Sequence, residues 1–286
     1  MARIPGIPTT VLVAPDSFKG TLTAAEVADA IGRGLEAEGR PVDLCPVADG
    51  GEGTLEALLR ALDGERRTAP ATDPLGRPIE AAFGIGEAGR GKVLGIVETA
   101  AASGLGLIDP AERDPAQAST FGTGQLIMAA IEAGANLVYL GVGGSAITDG
   151  GAGAIRAIRE AGGLGGARIT ALTGAGGLSG GLWAEFGAEL VPGAQFVLDA
   201  VDFDRRMRAA RAVVTGEGKL DQRSLAGKVV SEVSTRARQS GVPCHAIVGT
   251  RELDSFGVRV LDLQAVFEAG TPRTISAAAR RLAEVL

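Results

Sequence analysis

The sequence predicts an α/β fold in which a parallel-sheet domain is split by an inserted, smaller α/β domain. Two observations lead to this fold class. Near both ends of the 286-residue chain, short apolar runs alternate with segments whose apolar residues recur at helical spacing, as expected for parallel strands joined by helices. Residues 66–98 instead contain short apolar runs separated by turn residues, a pattern typical of antiparallel strands.

The N-terminal part contains two strand, loop and helix units. The apolar run TTVLVAP precedes TLTAAEVADAIGRGLEAEG, whose helical apolar face includes Val27, Ile31 and Leu35. Thr23, followed three residues later by Glu26, predicts a capping box at the start of this helix. The second unit joins the apolar run PVDLCPV through ADGGEGT to a helix in TLEALLRAL. Two consecutive units of this kind predict parallel strands.

The middle of the chain contains a misleading motif. Gly86–Lys92 reads GEAGRGK, which is close to a Walker A loop, but Val93 replaces the required Ser or Thr and a strand follows instead of a helix. We therefore predict a hairpin turn. Strand and helix patterns return with FGTGQLIMAAIEAGA, NLVYLGVGG and AGAIRAIREAG, whereas residues 162–193 have no periodicity that favours either element.

The C-terminal part restores the first pattern. From DFDRRMR to CHAIVGT the order is helix, strand, loop, helix and strand, and TISAAARRLAEVL is a final amphipathic helix with Thr274 as its expected N-cap. We therefore expect residues 1–65 and 205–286 to form one discontinuous Rossmann-like domain and residues 66–204 to form the inserted domain.

Composition excludes several classes of function. A net charge of -6 and an aromatic content of 3% argue against a nucleic-acid partner. The segment MARIPGIPTTVLVAP resembles neither a signal peptide nor a membrane anchor, so we expect a cytoplasmic protein without a membrane partner. Cys45 and Cys244 lie in apolar runs and are predicted to be buried thiols. The single histidine, His245, leaves little material for a catalytic triad or a zinc site. The sequence leaves a homodimer open.

Four predicted loops share one layout, in which charged or small polar residues lie among glycines between a strand end and a helix start. They are APDSFKG, VADGGEGT, GVGGSAITDGGAG and VVTGEGKLDQRSLAGK. The carboxyl ends of parallel strands lie along one sheet edge, so we expect these loops to converge. Glycines and helix N-termini suit anion binding. The charged residues of these loops are Asp16, Lys19, Asp49, Glu52, Asp149, Glu217, Lys219, Asp221 and Lys228.

Phosphoryl transfer needs few types of side chain. Carboxylates hold magnesium, another carboxylate orients or deprotonates the accepting hydroxyl, and cations neutralise phosphate and a substrate carboxylate. The four loops supply every one of these types. Any single acid could instead cap a helix or form a surface ion pair. Recurrence in four equivalent loops favours a shared site.

Six segments, in this order, resemble the bacterial glycerate kinase type I family: APDSFKG, PVADGGEGT, ETAAASGL, STFGTGQLI, GVGGSAITDGGAGAI and VVTGEGKLDQRSLAGK. They cover roughly residues 8–160 and 172–250. The resemblance implies a two-domain α/β enzyme that transfers the γ-phosphate of ATP to D-glycerate at the 2-hydroxyl, giving 2-phosphoglycerate, with Mg2+ as cofactor.

The sequence departs from the family at one place. After GGAGAIRAIREAGGL, family members carry a longer stretch with a CDVxNPL-like and an FGPQKGA-like motif, and this chain has neither. The pattern indicates an internal deletion. Two alternatives therefore stay open: a kinase of a related small hydroxy acid, and a shortened, non-catalytic or regulatory homologue that binds a nucleotide or a hydroxy acid.

Roles for individual residues follow from the loops and from the resemblance together. The candidate catalytic residues are Asp16, Lys19, Asp49, Glu217 and Asp221. The candidate nucleotide-binding residues are Gly143, Gly144, Ser145, Asp149, Gly150, Gly151, Gly216, Gly218, Lys219 and Lys228. Asp49 and Glu52 are the candidate ligands of Mg2+. Which Asp acts as the base stays open.

Overall fold

The computed structural model describes residues 9–87, 92–172 and 177–286. The chain divides into two compact units. The first combines the chain up to Ala48 with Leu198–Leu286, and the second is Asp49–Val197. Across the described residues, no helix combines the length and apolar character needed to cross a membrane.

The elements follow one another along the chain as strands and helices of ordinary length. The strands are β1 (Val11–Pro15), β2 (Val42–Leu44), β3 (Glu65–Thr72), β4 (Pro78–Glu87), β5 (Val93–Glu98), β6 (Leu137–Gly141), β7 (Arg168–Leu172), β8 (Glu189–Val191), β9 (Ala212–Gly216), β10 (Lys219–Leu220), β11 (Cys244–Val248), β12 (Thr250–Arg251) and β13 (Leu263–Glu268). The α-helices are α1 (Ala24–Ala37), α2 (Thr54–Ala61), α3 (Thr99–Ser103), α4 (Phe121–Glu132), α5 (Ala152–Glu160), α6 (Gly177–Phe186), α7 (Gly193–Ala200), α8 (Phe203–Arg208), α9 (Val229–Gln239), α10 (Ser255–Val260) and α11 (Pro272–Ala283). Short 3-10 helices span Leu105–Leu107, Pro110–Glu112 and Gln222–Leu225.

The first unit is built on a parallel sheet with the strand order β13-β11-β9-β1-β2. Val11 of β1 lies opposite Val42 of β2 and Ala212 of β9. Helices α1 and α11 pack together on the face to which Val11 and Val13 contribute, and α9 packs against β1, β9 and β11. Strand β2, which follows β1 along the chain, lies on one side of β1, whereas β9 and the later strands lie on its other side. The strand order therefore reverses between β1 and β9.

The second unit contains a six-stranded mixed sheet with the order β3-β4-β5-β6-β7-β8. Strands β3, β4 and β5 are antiparallel neighbours, which confirms the interpretation of residues 66–98, and the pairs from β5 to β8 are parallel. Residues 88–91 of the Walker-like segment lie outside the described residues, but Glu87 and Val93 on either side pair antiparallel, as the hairpin prediction requires.

The unit boundaries differ from those drawn from the sequence at 65/66 and 204/205. Helix α2, in the segment 49–65, packs against β4 and β5 of the second unit. In the observed bounds the inserted unit is the longer of the two. The aperiodic residues 162–193 contain β7, α6 and β8, which are short or rich in glycine and therefore have a weak periodic signal.

Two helix starts illustrate local signals. The capping box of Thr23 and Glu26 forms as predicted. The prediction of Thr274 as the N-cap of the last helix is wrong, because Thr271 is the N-cap and Thr274 is the third helical residue of its capping box. Pro272 explains the earlier start, since the first helical position needs no amide hydrogen bond and suits the fixed φ of proline.

Candidate active site

A cleft of about 500 Å³ lies at the carboxyl ends of the first sheet, beside the β1 and β9 junction. Open α/β sheets usually bind ligands at such a reversal of strand order. The sequence-predicted residues that line it come from the first and fourth loops: Asp16, Lys19, Glu217, Gly218, Lys219, Asp221 and Lys228. The structure thus brings together two of the four loops in this unit.

Glycines allow these two loops to approach closely. A Cβ atom on Gly216 would lie 2.2 Å from the carbonyl oxygen of Ile247, and one on Gly218 would lie 3.1 Å from Cα of Phe18. The amide of Asp16 donates to the carbonyl of Gly216 at 2.8 Å. A side chain at Gly218 would therefore push the two loops apart, and one at Gly216 would push β9 away from β11.

Two carboxylates in the cleft are buried. Asp16 is 3% exposed and Glu217 is 6% exposed. One oxygen of Asp16, Oδ1, accepts a hydrogen bond from the amide of Ser17 at 2.7 Å. Buried carboxylates are costly unless donors or cations compensate their charge, and Lys19 and Lys228 line the same cleft. Buried acids beside lysines can serve proton transfer and phosphate binding.

Asp221 and Lys219 lie in a different environment at the rim. Nη2 of Arg223 lies 2.8 Å from Oδ2 of Asp221, and this hydrogen-bonded guanidinium lowers the pKa of the Asp221 carboxyl below its ordinary value. Nζ of Lys219 lies 2.7 Å from Oε1 of Glu252. A carboxylate with a lowered pKa is a weak general base, so the ion pair with Arg223 argues against Asp221 in that role.

The other two loops meet within the second unit. The amide of Gly143 donates to the carbonyl of Gly50 at 3.3 Å. A Cβ atom on Gly143 would lie 2.4 Å from Cα of Gly51. The loop that carries Asp49 and Glu52 therefore packs directly on the glycine loop that follows β6.

The loop that carries Asp49 and Glu52 offers two carboxylates to a metal such as Mg2+. Oδ1 of Asp49 accepts from the amide of Gly51 at 3.1 Å, and Glu52 is exposed. Among the described residues, no three His, Cys, Asp or Glu side chains are grouped as a metal site. Mg2+ commonly uses one or two carboxylates together with phosphate oxygens and water. Asp49 and Glu52 fit that pattern for a metal bound with a nucleotide.

The carboxylate of Asp149 is hydrogen-bonded to groups of the protein itself. Its Oδ2 accepts from the amide and the hydroxyl of Thr120, both at 2.9 Å, and from the amide of Gly153 at 3.1 Å. Its Oδ1 accepts from the amide of Gly151 at 2.9 Å. These protein donors occupy both carboxylate oxygens, so the geometry favours a role in shaping the loop. Gly150 and Ser145 line a neighbouring cleft of about 400 Å³.

Sequence reasoning assigned no role to the segment ETAAASGL. Its first residue, Glu98, accepts a hydrogen bond from the amide of Leu55 at 2.7 Å. Its end is joined to the glycine loop, because Leu105 donates to Gly144 at 3.2 Å and Gly104 forms a bridge with Ser145. The position of Glu98 at the end of a strand was the available signal for a functional residue. Its partner Leu55, however, is distant in the sequence.

Comparison with known proteins connects these loops to one family. The model of the glycerate kinase family matches residues 11–162 and 158–286. A glycerate kinase of Halalkalibacterium halodurans is 32% identical, with 84% of this chain and 85% of that protein covered. A glycerate kinase of Bacillus subtilis is 33% identical, and the match covers 90% of this chain and 89% of that protein. The glycerate 2-kinase of Escherichia coli is 31% identical, and the match covers 91% of this chain and 90% of that protein.

A solved structure agrees over nearly the whole chain. The crystal structure of a proposed glycerate kinase 2 from Salmonella typhimurium LT2 has a TM-score of 0.77 and 27% identity, and 97% of this chain and 98% of that chain are covered.

The comparisons also bear on the internal deletion. The alignment with the Escherichia coli protein extends over 349 positions, more than the 286 residues of this chain, so that protein contains residues that this chain lacks. The two matched segments meet at residues 158–162, next to the place where the CDVxNPL-like stretch is absent. The match of the family model and of these relatives shows that the chain belongs to the glycerate kinase family, with the internal stretch missing and the motifs on both sides retained.

Proposed function

We propose that this protein transfers the γ-phosphate of ATP to D-glycerate in a Mg2+-dependent reaction, with 2-phosphoglycerate as the product. The observation that carries the proposal is the burial of Asp16 and Glu217 in a lysine-lined cleft at the strand-order reversal. Membership of the glycerate kinase family supports the substrate class. We also expect a cytoplasmic protein, and light scattering would distinguish a monomer from a homodimer.

In the first unit, the cleft supplies acids and cations for the transfer. A carboxylate such as Asp16 can accept a proton from the attacking hydroxyl, and Glu217 is the second candidate in the same cleft. Lys19, Lys219 and Lys228 supply positive charge for phosphate oxygens and for the carboxylate of glycerate. This division of roles explains why the cleft contains both types of charge.

In the second unit, the glycine loop supplies backbone amides. Gly144, Gly150 and Gly151 have φ values of 76°, 64° and 88°, a region that favours glycine. The amides of Gly151 and Gly153 at the start of α5 already donate to Asp149, so we assign phosphate binding to the preceding part of the loop, from Gly144 to Gly150, where Ser145 adds a hydroxyl. Asp49 and Glu52 would hold Mg2+, which would neutralise charge on the phosphates.

A coupled assay of ADP formation tests the proposal. D-glycerate, L-glycerate and related small hydroxy acids would each be supplied with ATP, with and without Mg2+, and phosphorus NMR would locate the phosphate in the product. We expect turnover with D-glycerate and Mg2+ and a phosphate on the 2-hydroxyl. A phosphate on the 3-hydroxyl would refute the regiochemistry, and turnover with another acid alone would refute the substrate.

The missing internal stretch favours a second candidate function, namely binding of a nucleotide or hydroxy acid without turnover. Any substrate contact made by the corresponding residues of the relatives has to be supplied differently here. Calorimetry with ATP and with D-glycerate separates the two functions. Binding of ATP without glycerate-dependent ADP formation would support the second candidate, and turnover would exclude it.

A further inference from the structure

We infer that Glu98 is a positioning residue that holds the loop Asp49–Gly53 through the N-terminus of α2. The inference rests on the proposed function, because this loop carries the two proposed Mg2+ ligands. Neither the sequence motifs nor the proposed chemistry assigned Glu98 a role.

The hydrogen bond between Glu98 and Leu55 joins two elements. Glu98 ends β5, and its Oε1 accepts from the amide of Leu55 in the first turn of α2 at 2.7 Å. The amide of Gly53 also interacts with this carboxylate. Gly53, the N-cap residue, has a φ of 96° and brings no side chain that could cap the helix. Glu98 therefore supplies, from another element, the acceptor that a serine or aspartate at the N-cap would normally supply.

The cost of this arrangement indicates that it does more than stabilise a short helix. Burial raises the pKa of the Glu98 carboxyl, and the neighbouring Glu52 and Glu56 raise it further. The φ of 96° at residue 53 suits glycine and not the Ser or Asp of an ordinary N-cap, so the start of α2 has to take its acceptor from another element. Because that acceptor is on β5, it also fastens the loop to the end of this strand.

The loop has a second attachment at its other end. The carbonyl of Gly50 accepts from the amide of Gly143 at 3.3 Å. A Cβ atom on Gly141 would lie 3.0 Å from the carbonyl oxygen of Gly50 and 3.6 Å from Cγ of Glu98. Glu98 thus lies beside both attachments, and its removal would release the end that includes Glu52 and Gly53.

Two substitutions separate the hydrogen bond from the charge. Glu98→Ala removes the acceptor, whereas Glu98→Gln keeps an oxygen that can accept from Leu55. Asp254→Ala is a matched control, because Asp254 caps α10 by accepting from Gly257 at 2.8 Å and lies in the other unit. Two readouts are used: hydrogen exchange of the peptide 49–58, and the Mg2+ concentration that gives half-maximal ADP formation.

We expect Glu98→Ala to accelerate exchange in this peptide and to raise the half-saturating Mg2+ concentration, each by about tenfold or more. Glu98→Gln should stay within about threefold of the wild type. Asp254→Ala should leave both readouts unchanged. A general loss of stability in Glu98→Ala would instead accelerate exchange throughout the protein and not only in the peptide 49–58.

Two results would overturn the inference. One is unchanged exchange of the peptide 49–58 in a folded Glu98→Ala protein, and the other is a Mg2+ requirement that Glu98→Ala leaves unaltered in an active enzyme. A wild-type protein without glycerate-dependent ADP formation would refute the proposed function instead. In that case the exchange comparison alone decides whether Glu98 holds the loop.

Discussion

Asp149 and Thr120 are joined by two hydrogen bonds, because Oδ2 of Asp149 accepts from both the amide and the hydroxyl of Thr120 at 2.9 Å. Thr120 immediately precedes α4, and Asp149 also accepts from the amides of Gly151 and Gly153 at the start of α5. One carboxylate therefore satisfies amides at the starts of two helices. These protein donors alone explain why the glycine loop contains an aspartate at this position.

Replacement of this aspartate should therefore weaken the fold. We expect Asp149→Ala to lower the free energy of unfolding by about 2–4 kcal/mol, because several donors would lose a charged acceptor. Urea unfolding measures the change. Glu132→Ala provides the control, since Glu132 is an exposed residue at the end of α4 and its replacement should change stability by no more than about 0.5 kcal/mol. Equal stability of the two variants would contradict this role of Asp149.

The close approach of β9 and β11 makes a second prediction. A Cβ atom on Gly216 would meet the backbone oxygen of Ile247 at 2.2 Å, and backbone atoms in a sheet cannot move aside easily. We expect Gly216→Ala to destabilise the protein by at least about 2 kcal/mol in urea unfolding.

Gly180 offers a matched comparison. It lies within α6, and a Cβ atom there would meet no heavy atom within 4 Å. Gly180→Ala should raise stability by up to about 1 kcal/mol, because alanine favours the helix. Destabilisation by both substitutions would indicate that space is not the deciding factor.

His245 predicts a dependence of stability on pH. Burial lowers the pKa of His245 below its ordinary value of 6.5, since the residue is 6% exposed and its Nδ1 has no hydrogen-bond partner among the described residues. The unfolded chain therefore takes up the proton first. The contribution of the neutral, buried His245 to the free energy of unfolding is complete above pH 6.5. It declines as the pH falls from there toward the pKa of the folded state, by up to about 1.4 kcal/mol for each unit between the pKa of the unfolded and of the folded state.

Two measurements check this sign. Between pH 7.5 and 5.5, the wild type should lose more stability than His245→Asn, with urea unfolding as the assay. As this is the single histidine of the chain, its ring resonance can be followed by proton NMR without assignment of others. A native resonance that titrates near the ordinary value of 6.5 would contradict the effect of burial.

The sequence predicted features that depend on nearby residues or on sheet topology. The Thr23 and Glu26 capping box needs contacts three residues apart, and it forms. The first and fourth loops meet because β1 and β9 are parallel neighbours whose carboxyl ends lie together. Glu98 had no such signal, because its partner Leu55 is 43 positions away and on a different element. The same holds for Thr120 and Asp149, which are 29 positions apart.

The two aspartates of the first cleft should differ in catalysis. Asp16 is 3% exposed, whereas Asp221 is paired with Arg223 at 2.8 Å and has a lowered pKa. If Asp16 orients or deprotonates the hydroxyl of glycerate, Asp16→Asn should reduce kcat by at least about 100-fold. Asp221→Asn removes the charge that pairs with the exposed guanidinium of Arg223 and should reduce kcat by less than about tenfold.

Steady-state kinetics with D-glycerate, together with circular dichroism to verify folding, measures this difference. The Asn side chains preserve size and can still accept the backbone hydrogen bonds of Ser17 and Arg223, so a loss of turnover would report on the carboxylate charge. An inverted order, with the larger loss in Asp221→Asn, would assign the base to the rim of the cleft. Because Arg223 would then have to release Asp221 before the proton is transferred, Arg223→Ala should in that case raise kcat, whereas a base at Asp16 requires no such release.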